Sequence, residues 1–302
     1  MILGYTPKYR DEGSCDGDRA EYCPIEHLAR CYSFSDWKSV DMVMLTAAFD
    51  CSQDPQKRYF VMAGFASSAE RWAEFDKEWR GRLAKDGLRY FHMYSFTQCI
   101  HRAAGPFDTS WIGQEKRRRV LLQDLLEIVG SHAWQKFGGI FPTDSLMMFS
   151  EIARERFLPS LIATAGRLMW ADVEAWRKRE RFRNQAELFF EDGDHEQDSL
   201  RRAIREVTGQ SPSFRAKQDI ADKNVLAFTP LQASDILAYE IQKICQDAGQ
   251  PIDDVHFRFP YVELDRIPGG IRMLRNEGAT VLDEFLKVQA YFEKNPLPLP
   301  VQ

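Results

Sequence analysis

MVMLTAAFD (Met42–Asp50) and RYFVMAGFA (Arg58–Ala66) are two apolar runs of strand length, separated by the polar stretch CSQDPQK. That pattern predicts a strand, a turn and a second strand, paired as a hairpin. The first run ends on an acid, Asp50. A third run of the same kind, AELFFEDGD, also ends on acids, Glu191 and Asp192. Acids at strand ends leave a sheet at one edge, so the reading of the fold and the reading of the site start from the same residues.

Working outward, the period changes. Trp72, Phe75, Trp79 and Leu83 recur at three and four residues, which predicts an amphipathic helix with Ser67 or Ser68 as its N-cap and Asp86-Gly87 as its stop. LRYFHM then reads as a short strand entering a loop. Val120, Leu121, Leu125, Ile128 and Val129 mark a second helix ending at Gly130, and WQKFGGIF reads as a third core strand. Residues 144–183 carry helical repeats with little Gly or Pro, a helical insertion. A helix from Asp198 to Val207 follows the third acid-ended run. After a polar connection, PLQASDILAYEIQKICQDAG forms a late helix, and a final helix is expected over Gly278–Asn295. Strands first, then crossover helices and a further strand, argue for an α/β protein with a mixed sheet covered by helices. The expected organisation is a loosely structured extension over 1–40, one domain over 41–250 containing the insertion, and a helical tail over 251–302 that packs on it.

Composition bounds the function without choosing it. The hydrophobic fraction of 44% and charged fraction of 28% are those of ordinary globular proteins. No apolar run approaches the roughly 20 residues of a spanning helix, so no membrane partner is expected. The segment MILGYTPKYRDEG has no signal-peptide pattern, which leads to a cytoplasmic location. The net charge of −5 gives no global attraction to nucleic acid, though local basic patches can supply one. Six scattered cysteines without a CxxC pair read as free thiols.

The chemistry is expected at the acids. Asp50, Glu191 or Asp192, and Asp235 near the start of the late helix would repel one another if buried together, unless a cation neutralised them. Hard oxygen ligands suit Mg²⁺ or Mn²⁺, and a pair of such ions would activate a phosphodiester. An Asp at a strand end is equally a turn residue or a helix cap. Asp235 is different: it stands among the small residues Ala233, Ser234 and Ala238, where another backbone or a metal can come close.

FDCSQD followed by YFVMAGF, then W-x6-W and FHM, then FFEDGD and PLQASDILAYE, resembles a widespread family of uncharacterised bacterial proteins. Its members carry Asp-Glu-Ser-Gly at the end of the first strand and Leu-Gln-x-Ala-Asp on a late helix. The resemblance runs from about Met42 to about Ile244. It implies an RNase H-like fold and a metal-dependent nuclease, with Asp50, the acid at Glu191 or Asp192, and Asp235 as the catalytic and metal-binding set. The chain departs from that pattern in having Cys51 for the Glu, Gln53 for the Gly, and Ser234 for the Ala before the helix acid. Loss of the Glu removes one ligand, for which Asp54 is the candidate replacement.

Accessory roles are open for four residues. His92 is a proton donor near the acids or a histidine packed at a strand end. His195 is a mobile base or a solvated helix start. Glu240, five residues past Asp235, points away from it and braces the site or fills another role. Asp54 is the fourth. Lys217 and Lys223 contact a phosphate or face solvent. EKRRR (Glu115–Arg119) and RKRERFR (Arg177–Arg183) suit a phosphate backbone, but such runs are more often the wet face of a helix. Cys15, Cys23, Cys31 and His27 match no standard zinc spacing. The leading expectation is therefore a divalent-metal-dependent nuclease acting on RNA or DNA. The alternatives are a catalytically weakened binding or regulatory module and a small-molecule phosphohydrolase. Oligomeric state is open, a homodimer being one option.

Overall fold

β1 (Leu45–Gln53) and β2 (Tyr59–Ser68) pair antiparallel as the hairpin pattern requires, with Asp50 opposite Ala63. The computed structural model describes residues 44–53, 58–143, 160–193, 196–220, 226–247 and 258–273, and the statements below concern these. β3 (Gln135–Pro142) pairs antiparallel with β2. On the other side of β1, β4 (Glu187–Glu191) runs parallel to it, and β5 (Ser213–Arg215) runs parallel to β4. β6 (Gly269–Met273) adds a parallel edge strand to β3. The result is one six-stranded mixed sheet in the order β5-β4-β1-β2-β3-β6.

Helices cover both faces. α1 (Ala69–Lys85) starts where predicted, the Ser68 hydroxyl accepting from Arg71 N, and buries Trp72, Phe75, Trp79 and Leu83. α2 (Met93–Gln98) is a single short turn of helix, and α3 (Glu115–His132) packs against α1. α4 (Leu161–Arg179) and α5 (Gln197–Thr208) form a second layer on the opposite face. α6 (Pro230–Asp247) crosses β1 and β2, and α7 (Phe259–Asp265) follows. From Pro230 to Gln242 every residue of α6 is buried, so this helix is a core element rather than a surface one. No described helix is long and apolar enough to cross a membrane.

Because strand side chains alternate, the sheet has two separate cores. Ala48, Val61, Ala63, Phe65 and Phe189 face α1, α3 and α6. Leu45, Ala47, Phe49, Leu188 and Phe190 face α4 and α5.

Three local expectations change. LRYFHM is not a strand: the Phe91 amide donates to Gln232 Oε1 and the Met93 amide to Asp235 Oδ2, so side chains of α6 take the donors that a ladder would have used. The polar connection before α6 contains the three-residue β5, too short to show a period. Where a helical tail was expected, the described part of 251–302 contributes α7 and then β6, which joins the sheet. The extension over 1–40, the first part of the insertion and the helix over Gly278–Asn295 lie outside the described residues.

Candidate acidic site

The parity of the strands decides which acids meet. Ala48 and Phe189 share the α6 face, so Asp50 and Glu191, each two residues further along, share it too. The parallel register pairs Phe49 with Phe190, which sets Asp50 and Glu191 side by side. Asp235 enters from above on the second turn of α6. This helix sits close because its residues over β1 are small: the Ser234 hydroxyl, 2.9 Å from Ala48 O, donates to that strand carbonyl. Across the hairpin, Gly64 permits the close approach of β2 to β1, since a Cβ there would lie 1.8 Å from Ala48 O.

The three carboxylates converge on an ammonium. Lys217 Nζ lies 2.9 Å from Asp50 Oδ2, 2.9 Å from Glu191 Oε2 and 3.3 Å from Asp235 Oδ1. The ammonium donates hydrogen bonds to Asp50 and Asp235 and forms an ion pair with Glu191. Burial alone would pull the Lys217 ammonium down, but its three acidic neighbours outweigh it and hold the group well above its ordinary value. Burial pushes the Asp50 carboxyl up, against the pull of Lys217 and with help from Asp235 and Glu191. Three acids thus share one cation in a poorly solvated place. Asp50, 2% exposed, has its second oxygen, Oδ1, buried with no hydrogen-bond partner.

Gln232 fixes this arrangement. Its Nε2 donates to Lys217 O at 2.7 Å, while its Oε1 accepts from Trp79 Nε1 and Phe91 N, both at 2.8 Å. Asp235 Oδ2 accepts from Met93 N at 2.6 Å. One turn of α6 therefore ties together the lysine, the helix α1 and the loop that carries His92. His92 Nε2 stands 3.8 Å from Asp235 Oδ1 at the open rim, and its Nδ1 is 3.0 Å from Ser95 Oγ. No protein-family model, curated protein or solved structure matches the chain.

The remaining candidates separate cleanly. Asp192 lies outside the cluster: it follows the last residue of β4, is exposed, and takes Gln197 Nε2 at 3.1 Å. Cys51 packs against the α4–α5 core, on the face opposite Asp50, so a Glu in its place would start from the wrong side of the sheet to join the acids. Glu240 faces away from the cluster, as its spacing implies. It is fully buried, 3.3 Å from Arg258 Nη2 and without an aligned hydrogen bond, and burial raises its carboxyl to about 7 against Arg258 and Lys243. Asp54, His195, Lys223 and the Cys15/Cys23/Cys31/His27 group lie outside the described residues. Part of each basic run is engaged internally, Arg117 lying over the Trp111 ring and bonding Asp86, Arg118 lying over Phe96 and Arg177 pairing with Glu174, while Lys116, Arg119, Lys178, Arg179, Arg181 and Arg183 are exposed.

Lys217 is the residue that sequence reasoning misplaced as a phosphate contact or a solvated lysine. It is 8% exposed at the centre of the cluster. Among the described residues no group of three or more His, Cys, Asp or Glu side chains is spaced to hold a metal ion, and the point on which the acids converge is taken by Nζ. The donor set nonetheless fits a hard cation. All its atoms are carboxylate oxygens, its negative charge exceeds its positive charge, and Asp50 Oδ1 is an unused buried acceptor. Mg²⁺ in particular is commonly held by one or two carboxylates, with waters and substrate phosphates completing the shell.

Proposed function

We propose that the chain is a divalent-metal-dependent phosphodiester hydrolase of nucleic acid, built on an RNase H-like sheet. The observation that carries the reading is the meeting of Asp50, Glu191 and Asp235 at one point, with Asp50 Oδ1 left unpartnered. The topology supports it. An antiparallel β1-β2-β3 meander continues past β1 into two parallel strands, with acids on the central strand, on its parallel neighbour and on a late helix. That is the arrangement expected of an RNase H-like domain.

Asp50, Glu191 and Asp235 would hold Mg²⁺ or Mn²⁺, which supplies Lewis-acid polarisation of the phosphodiester. The protein's own groups do the rest. Lys217 limits repulsion among the acids, and Gln232 positions Lys217. His92, partly exposed beside Asp235, is placed to carry a proton to or from the reacting oxygens. Tyr94 is 53% exposed with its ring 6.4 Å from that of His92, and offers a flat face on which a base can stack, which favours a nucleic-acid strand as substrate.

The test is cleavage of short RNA, single-stranded DNA and hybrid substrates with Mn²⁺. Asp50→Asn and Asp235→Asn are each expected to lower the rate by more than about 100-fold, the scale at which even outer-shell changes begin to be felt. Equal cleavage by these variants and the parent overturns the reading. A second reading, a binding module that keeps the fold without turnover, is favoured by one observation: the Lys217 ammonium already contacts all three acids. In that case thermal stability ignores Mg²⁺ and Mn²⁺, because a ligand that binds only the folded state must stabilise it.

A further inference from the structure

We infer that the acidic site takes a single divalent ion beside a resident Lys217 ammonium, instead of the pair of ions that a strand-end acid cluster would ordinarily invite; this rests on the reading of the site as metal-dependent. The argument is one of charge and of donors. With the three acids ionised, as ligation of a cation requires, three carboxylates and one ammonium leave a surplus of two negative charges, which one divalent ion balances and two would overshoot. Lys217 cannot be treated as a mobile counter-ion. Its side chain is buried, it is hydrogen-bonded to Asp50 and Asp235 and ion-paired with Glu191, and its backbone carbonyl is clamped by Gln232, which is itself fully buried.

The oxygens sort in the same way. Asp50 Oδ2, Glu191 Oε2 and Asp235 Oδ1 face Nζ, and Asp235 Oδ2 is taken by the Met93 amide. Asp50 Oδ1 is the buried acceptor left over, on a side chain 2% exposed, so it marks the side of the cluster where a further cation is received. Glu191, whose side chain is 27% exposed, stands at the mouth and can share that ion with water and a substrate phosphate. Lys217 is thus a positioning residue: it stands where a second ion would bind and keeps the acids converged without one.

Mn²⁺ titration of the full chain tests this, followed by calorimetry and by native mass spectrometry. The parent is expected to bind one Mn²⁺ that disappears in Asp50→Asn. Lys217→Met leaves the acids without their cation. It should lower Tm in the absence of metal by roughly 10 °C, bind a second Mn²⁺, and show a metal-induced rise in Tm about twofold that of the parent. Lys217→Arg retains the charge and is expected to keep the count at one. Two Asp50-dependent ions in the parent, or none, overturn the inference, and this measurement stands even where Lys217→Met does not fold. The two proposals fail separately. One Asp50-dependent ion with no cleavage of any nucleic acid leaves the site as inferred and removes the phosphodiesterase. Two ions with Asp50-dependent cleavage do the reverse.

Discussion

On the side of the sheet covered by α4 and α5, Phe49 stacks on Phe190 with ring centroids 5.7 Å apart, and Phe137, Trp176 and Met169 complete an apolar core. On the other side, the alternate residues of the same strands end in Asp50 and Glu191. There α6 buries Gln232, Ser234, Asp235 and Glu240 among its apolar residues. Two faces of one sheet thus meet different physical demands. The α4–α5 face stabilises by removing apolar area from water. The α6 face holds charge where water is scarce, which costs stability unless each polar atom is answered. Asp50 Oδ1 and both oxygens of Glu240 are not answered by a hydrogen bond. Both faces contribute folding free energy, the α6 face through a core that includes Trp72, Phe75, Trp79 and Phe91, but only the α6 face also carries buried charge.

The sharpest way to break this division is to damage the apolar face alone. Phe190→Ala removes a buried ring from the α4–α5 core next to the residue that carries the site, and is expected to cost about 3–5 kcal/mol of stability. Its Mn²⁺ response should match that of the parent, measured as the metal-induced shift in Tm. A lost metal response with a small loss of stability would mean that the faces are not separable.

Glu240 sharpens the comparison from the other face. Its carboxyl is raised from 4.5 to about 7 by burial, so the folded state retains a proton that the unfolded chain has released. For an acid raised in this way, stability falls as pH rises from about 4.5 to 7 and is level above. The total is about 3 kcal/mol if the whole shift is expressed. Glu240→Gln, which keeps the shape and loses the titration, should equal the parent near pH 4 and exceed it by up to that amount at pH 8. Urea unfolding at the two pH values measures it, and an unchanged difference between the proteins would remove Glu240 as the source.

What could be read from the sequence follows the same split. Features set by local periodicity were legible: the hairpin of β1 and β2, α1 with its Ser68 cap, and the late helix with Asp235 among small residues. The choice between Glu191 and Asp192 was also within reach. Adjacent strand residues face opposite sides, and only Glu191 has the parity of Phe189, although the parallel register was needed to match that parity to Asp50. The same rule removes Cys51 from the site. Lys217 was not legible, because it follows a three-residue strand with no period and because an isolated lysine is ordinarily solvated. Nor was the loop at Phe91–Met93, whose amide donors are satisfied by Gln232 and Asp235, more than 140 residues away in the chain. A backbone held by distant side chains leaves no local pattern.

Ser234, at the contact between α6 and β1, gives the smallest expected effect. Its hydroxyl donates to Ala48 O at 2.9 Å and to Pro230 O at 3.0 Å, so one proton is shared between strand and helix. Ser234→Ala deletes one small hydroxyl and its shared hydrogen bond, so the cost should be about 1 kcal/mol, that of one neutral hydrogen bond. The acids should remain converged, because Asp235 is tied to Met93 and Gln232 to Lys217 independently of Ser234. A loss of Mn²⁺ binding in Ser234→Ala would show instead that the strand contact, and not the Gln232 clamp, sets the height of Asp235 above Asp50.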